Sequence, residues 1–160
     1  MSRLGRVGTS ELRASAQRAA GERSLRGGTF RVLAALTGLM FLAAGAGLFL
    51  AFFAYQRPGS EPPLPMGPLG HYFAAFAGCA LIGWGGALLS GARDLATGRR
   101  IAPTTALGLT GLALYRLVGW FMGDYYALMG NLLRFEAGLF LVLALAFVWL
   151  RPPAEKGRLA

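Results

Sequence analysis

Three ionisable side chains lie inside two long apolar runs near the carboxyl end of the chain. Arg116 lies in the first run, and Arg134 and Glu136 lie in the second. Ionisable groups at membrane depth are costly and usually face a partner or water, so they mark the first place to look for function. An arginine and a glutamate in such a position could fix the register of two helices, line a polar pocket, or take part in proton transfer.

The depth of these side chains predicts which two of them pair. With the third helix taken as 102–123 and the fourth as 129–150, Arg116 and Glu136 each lie about 5 Å to the outer side of their helix midpoint, at 1.5 Å per residue. Two helices joined by a short link are usually neighbours. We therefore predict an intramembrane Arg116–Glu136 pair, whose first interpretation is a contact that fixes helix register.

The remaining charge, Arg134, lies nearer the membrane surface. Its long side chain can extend outward, towards Asp124 at the end of the third helix. If the pair lines a pocket that opens to the outer side, a second group of polar and aromatic residues forms its periphery. That predicted periphery is His71, Tyr72, Trp120, Asp124 and Arg134.

Composition indicates the environment that positions these residues. The chain is 55% hydrophobic and 14% charged, whereas soluble domains carry roughly 25% charged residues. Four apolar runs each reach about 20 residues, which is the length needed to cross a hydrocarbon core. We predict an all-α polytopic membrane protein, an antiparallel bundle of four transmembrane helices. The predicted helices are about 30–55, 69–92, 101–123 and 128–150, within a transmembrane domain of residues 30–151. Pro103 is predicted to lie in the first turn of the third helix, where proline is tolerated.

Basic residues flank these helices on one side. Residues 1–29 are predicted to form a flexible basic tail against anionic headgroups, with a weak helix over 11–25 as an option, and residues 152–160 form a second short tail. A transit peptide or a nucleic-acid-binding arm is a weaker interpretation of the first tail. Thirteen of the sixteen Lys and Arg residues lie in residues 1–31, in the connector between helices two and three, and in residues 151–160. The positive-inside rule then places both termini in the cytoplasm.

Small residues recur at every fourth position in the first two helices. Such stripes let a neighbouring helix approach closely, within the chain or across an interface with another subunit or a second copy. The predicted packing positions are Ala43, Gly47 and Ala51 in the first helix, and Ala75, Cys79, Gly83, Ala87 and Gly91 in the second.

Single cysteine and histidine residues limit the available chemistry. With only Cys79 and His71, the chain has no internal disulfide, no CxxC pair and no bis-histidine haem ligation. This disfavours quinone-linked thiol oxidases and b-type cytochromes. No nucleophile–base pair, phosphate-binding loop or metal-ligand spacing is present. The sequence therefore gives no ground for catalysis and names no metal or cofactor.

The segment YRLVGWFMGDYYALMGNLLRFE (115–136) carries an arginine late in the third helix and a glutamate early in the fourth. In this it resembles DoxX-like and related uncharacterised four-helix families of bacterial membranes, over helices two to four. The resemblance implies a four-helix bundle in the bacterial cytoplasmic (inner) membrane and implies little about activity. The proline-rich loop 56–68 and the long basic tail depart from the compact pattern.

Two functions remain open on this basis. The first is a non-catalytic accessory or scaffold component, whose Gly/Ala stripes dock other membrane helices or a second copy. The second is a small protein that handles a ligand, lipid or quinone at an Arg116/Glu136 pocket, as a transporter or in connection with an oxidoreductase. The expected partners are the lipid bilayer and other membrane subunits, whereas nucleic acid is disfavoured.

Overall fold

A computed structural model describes residues 4–57, 59, 67–122 and 131–153. Its regular secondary structure over these residues is entirely helical. The helices are α1 (Leu4–Tyr55), α2 (Pro68–Arg93), α3 (Leu95–Met122) and α4 (Leu132–Trp149). All four are long and apolar enough to span a membrane. The prediction of an all-α chain with four candidate transmembrane helices is therefore confirmed for the described part of the chain.

Helix α1 begins far earlier than predicted. It starts at Leu4 and runs for 52 residues, about 78 Å at 1.5 Å per residue, so the predicted start near residue 30 is wrong. The segment before Phe30 contains no proline and is rich in Ala, Arg, Glu and Gln, which lose little side-chain freedom in a helix. A helix that is already nucleated by the apolar run can therefore extend into this segment. The predicted flexible tail is helical from Leu4 onward.

Helices α2 and α3 are separated by a single residue, Asp94, rather than by the predicted connector 91–100. The backbone N–H of Asp94 donates to the Ser90 carbonyl at 2.9 Å, which closes α2. The Asp94 carboxylate then accepts the backbone N–H of Ala96 at 3.1 Å and that of Thr97 at 2.9 Å. These bonds satisfy two of the free N–H groups at the start of a helix.

The early start of α3 changes the position of Pro103. This proline lies inside the helix rather than in its first turn, so that prediction is wrong. Proline removes one backbone hydrogen bond from a helix interior. The cap at Asp94 nevertheless establishes two helical turns before the proline is reached. At the other end of the chain, α4 begins at Leu132, while residues 128–130 of the predicted helix lie outside the described residues.

The chain divides into two compact units, residues 31–101 and residues 1–30 with 102–160. In the first unit, α1 and α2 meet backbone to backbone at two glycine pairs. A Cβ atom on Gly45 would lie 2.6 Å from the Gly78 carbonyl oxygen, and one on Gly38 would lie 2.9 Å from that of Gly85. The reciprocal distances are 2.6 and 2.7 Å. We refer to the contact formed by Gly38, Gly45, Gly78 and Gly85 as the α1–α2 seam. No group larger than the hydrogen on each glycine Cα fits there.

The predicted packing stripes are for the most part not the ones that pack within the chain. A Cβ atom added at Gly47 or Gly83 would meet no atom within 4 Å, and Ala43, Cys79 and Ala87 are exposed. The within-chain version of the prediction is therefore wrong at these five positions. Ala51 and Ala75 are half-buried. Gly91 alone is buried in close contact, because a Cβ there would lie 2.6 Å from Ile101 and 3.0 Å from Gly98.

The second unit is built on apolar residues spaced three and four apart in α3 and α4. The rings of Phe30 and Phe147 pack in an edge-to-face arrangement, with 5.9 Å between ring centroids and an interplanar angle of 87°. Such edge-to-face pairs add to the free energy that burial itself supplies. Thr110 bonds its hydroxyl to the Ala106 carbonyl at 2.8 Å, so this polar group is satisfied inside its own helix. The buried residues are Ala102, Thr105, Ala106, Leu109 and Ala113 in α3, and Leu133, Ala137, Ala144 and Phe147 in α4.

Candidate functional site

The two side chains that are predicted to pair lie in contact. Arg116, six residues before the end of α3, places its Nε atom 3.0 Å from Oε2 of Glu136, in the second turn of α4. Each side chain is 31% exposed, whereas the two atoms in contact are buried. The contact therefore lies on the inner side of both groups, and their outer atoms supply the exposure.

The ion pair is not an aligned hydrogen bond. Both Nε of Arg116 and Oε2 of Glu136 lack a hydrogen-bond partner even though they are 3.0 Å apart. A hydrogen bond weakens steeply when the N–H direction turns away from the acceptor. Coulomb attraction remains at this distance, but the directional part of the interaction is missing. Arg116 and Glu136 thus attract each other as opposite charges but do not form a hydrogen bond between Nε and Oε2.

A second contact joins the same two helices next to this pair. The guanidinium carbon of Arg134 lies 3.8 Å from the centroid of the Trp120 ring. This is a cation–π contact, in which the positive group is attracted to the negative face of the indole. Trp120 lies one helical turn beyond Arg116 in α3, and Arg134 lies two residues before Glu136 in α4. We refer to these four residues as the α3–α4 charge cluster.

Sequence reasoning did not anticipate the contact between Arg134 and Trp120. The predicted partner, Asp124, lies outside the described residues. The signal that was available is the position of Trp120, one turn from Arg116 and close to the helix end, where an indole ring and a long cationic side chain both prefer to sit.

The other two predicted peripheral residues, His71 and Tyr72, belong to the first unit. His71 is fully buried, and its ring stacks on Tyr55 with 4.1 Å between centroids and an interplanar angle of 14°. Its Nδ1 atom lies 3.1 Å from the Gly67 carbonyl oxygen, and its Nε2 atom has no hydrogen-bond partner. Tyr72 is exposed. This histidine therefore anchors the start of α2 against the end of α1.

Asp94 is the described residue whose ionisation is most clearly shaped by its surroundings. Hydrogen bonds from the Thr97 side chain, at 2.5 Å, and from the backbone N–H groups of Thr97 and Ala96 hold its pKa below the usual range. These donors stabilise the charged carboxylate. The group is fully exposed, so its role is to cap α3.

The described residues contain no group of three or more His, Cys, Asp or Glu side chains arranged to hold a metal ion. No protein-family model, curated protein or solved structure matches the chain. The function proposed for this chain therefore rests on the chemistry of its own residues.

Proposed function

We propose that this chain is a small, non-catalytic accessory or scaffold component of a membrane, which docks other membrane helices on the exposed small residues of α1 and α2. The observation that carries the proposal is the division of the glycines into two sets. Gly38, Gly45, Gly78 and Gly85 hold α1 against α2. A second set of small residues faces outward.

This outward set supports docking because a helix of another polypeptide could approach it as closely as α1 approaches α2. Gly47 and Gly83 have open space around the Cβ position, and Cys79 is exposed on the same stripe as Gly83. In a bilayer, close approach of this kind drives helix association through van der Waals contact, since lipid tails already satisfy apolar side chains. The proposed occupant is a transmembrane helix of a larger assembly.

Crosslinking through the native Cys79 in intact membranes tests this proposal. A maleimide–benzophenone reagent, which attaches to Cys79 and on irradiation inserts into a C–H bond of any adjacent chain, should convert the wild-type chain into a species of higher mass, and Gly83→Leu should abolish that product by blocking close approach. Because a Cβ atom at Gly83 would meet no atom within 4 Å, Gly83→Leu should unfold at or above the wild-type temperature. The proposal is wrong if Cys79 yields only the mass of one chain, or if Gly83→Leu leaves the product unchanged.

For orientation and location, we propose an antiparallel four-helix bundle in a bacterial cytoplasmic membrane, with both termini in the cytoplasm. The support is the concentration of Lys and Arg in the terminal segments and around Asp94, as the positive-inside rule requires. Kinship with the DoxX-like group is part of the same proposal and rests on the segment 115–136. The basic first half of α1 is proposed to meet anionic headgroups at its membrane end.

A second candidate function has its own supporting observation. The Arg116–Glu136 contact lacks hydrogen-bond alignment, and the outer atoms of both groups are accessible. The accessible N–H groups of Arg116 and the outer carboxylate oxygen of Glu136 offer hydrogen bonds to a bound molecule. This favours a ligand-handling protein of the lipid- or quinone-binding kind.

A further inference from the structure

We propose that the α3–α4 charge cluster binds a phosphate-bearing anion, supplied in the membrane by the headgroup of an anionic phospholipid. The proposal deepens the ligand-handling function above and does not depend on the docking of a partner helix. Three features of the cluster carry it: its net charge, the presentation of Arg134, and its position at the helix ends.

The cluster carries one excess positive charge. Arg116 and Arg134 contribute two cations, and Glu136 contributes one anion. Glu136 is in ion-pair contact with Arg116, and the described part of the chain supplies no carboxylate contact to Arg134. A cation without a counter-charge is unfavourable next to apolar lipid. An anion at Arg134 would neutralise the cluster.

Arg134 is presented in a way that suits phosphate. Its guanidinium group lies over the Trp120 ring, so one face is covered, and no hydrogen bond from the described residues occupies the N–H donors at the edge of the planar group. A guanidinium presents these donors as a rigid fork that matches two oxygens of a phosphate, which a lysine cannot do. The Trp120 contact also restricts the rotamers of Arg134 and lowers the entropy cost of binding.

The cluster lies where lipid headgroups are found. Trp120 is two residues from the end of α3, and Arg134 is the third residue of α4, so both lie at the ends of candidate membrane-spanning helices. Arg134 is also near the amino-terminal end of α4, where the helix dipole favours an anion.

Apolar side chains beside the cluster favour a lipid over a free anion. Tyr115, Phe121 and Phe135 are largely exposed and flank Arg116, Trp120 and Arg134 in sequence. Exposed aromatic groups of this size can pack along acyl chains. A phosphate that arrives attached to acyl chains would satisfy both the cations and this apolar surface.

Titration of the purified full-length chain with three probes tests the proposal. The probes are phosphatidylglycerol, which is anionic, phosphatidylcholine, which has no net charge, and inorganic phosphate, each followed by native mass spectrometry in a neutral detergent. We expect retention of phosphatidylglycerol above phosphatidylcholine. Arg134→Gln should weaken this retention about tenfold or more, because it removes a charge-assisted hydrogen bond. Arg100→Gln, at an exposed arginine of α3, should leave it unchanged.

Additional variants and outcomes separate the alternatives. Arg134→Lys keeps the charge and loses the planar fork, so its retention should fall between the wild type and Arg134→Gln. Competition by inorganic phosphate at the concentration of the lipid would assign the site to free phosphate instead of a headgroup. The proposal is overturned if Arg134→Gln and Arg100→Gln behave alike, or if the two lipids are retained equally. Retention of a neutral lipid or quinone under those conditions would still support a ligand-handling function, so the two failures are distinguishable.

Discussion

Arg116 and Glu136 show how two charges are accommodated in apolar helices. Each would cost roughly 2.5–3.5 kcal/mol alone at the centre of a membrane helix. Their contact at 3.0 Å offsets part of this cost. Partial exposure and poor alignment limit the gain, since ion pairs exposed to solvent contribute about 0–1 kcal/mol. The pair is therefore better understood as a constraint on helix register and a polar point for binding than as a source of stability.

The ionisation of Asp94 makes the stability of the chain depend on pH. The pKa of Asp94 is lowered in the folded chain by hydrogen bonds from Thr97 and Ala96, so ionised Asp94 stabilises the fold. That stabilisation is fully present above the pKa of an unfolded aspartate, roughly 3.9, and is lost as the pH falls through the lower folded pKa. Asp94→Asn should therefore unfold at a lower temperature than the wild type at pH 7, and the difference should narrow as the pH falls below roughly 3.9.

Thermal unfolding in detergent, followed by circular dichroism at several pH values, measures this difference. Asp94→Ala, which removes the acceptor altogether, should remain less stable than the wild type at every pH. A gap between the wild type and Asp94→Asn that stays constant or widens on acidification would contradict the capping role of the carboxylate.

The pairing of α1 with α2 depends on glycine at four positions. The seam positions in each helix are seven residues apart, and the surrounding buried residues of α1 follow the three–four spacing of heptad packing. When two helix backbones approach this closely, no side chain is buried between them at the glycines, and the backbones themselves make extended van der Waals contact. This close approach also makes the seam intolerant of any added atom.

Adding one methyl group at the seam tests this element directly. Gly45→Ala should destabilise the chain by about 1–3 kcal/mol, the usual cost of overpacking, because the new Cβ would meet the Gly78 carbonyl at 2.6 Å. Gly47→Ala, two residues away in open space, should be neutral or stabilise by up to about 1 kcal/mol through helix propensity. Equal unfolding free energies for the two variants in a denaturant titration would show that the seam does not limit packing.

These elements also show what was predictable from the sequence. The existence of four apolar helices followed from the length of the apolar runs. The position of the α1–α2 seam could not be predicted. Both helices contain small residues that recur every fourth residue and glycines that recur every seventh residue, and spacing alone does not show which set packs. The start of α3 was misjudged because Pro103 resembles a helix-start residue, although Asp94 followed by Thr97 was a stronger capping signal.

In the α3–α4 charge cluster, the position of each residue along its helix could be predicted, whereas the direction of each side chain could not. Arg116 and Glu136 lie at similar depth on helices joined by a short link, so their contact could be anticipated. Arg134 and Glu136 are two residues apart in one helix and do not share a face. Spacing within α4 therefore separated Arg134 from the face of Glu136, and the position of Trp120 near the end of α3 was the one available signal for their contact.

For the whole molecule, the distribution of charge bears most directly on how the chain meets a membrane. A net charge of +9 concentrated in the terminal segments and around Asp94 resists transfer across a membrane, whereas the apolar helices favour insertion. The 52-residue helix α1 is longer than the roughly 20 residues needed to span the hydrocarbon core. In the proposed topology its basic first half lies beyond that core.

The most direct test of the membrane topology is labelling of single cysteines with a membrane-impermeant maleimide, in a Cys79→Ala background. Gln56→Cys reports on the segment after α1, and Ser24→Cys and Arg100→Cys report on the basic side, all at exposed positions. We predict that Gln56→Cys is labelled in intact cells and that the other two are labelled only after permeabilisation. Labelling of all three in intact cells, or of Ser24→Cys and Arg100→Cys but not Gln56→Cys, would contradict the proposed topology.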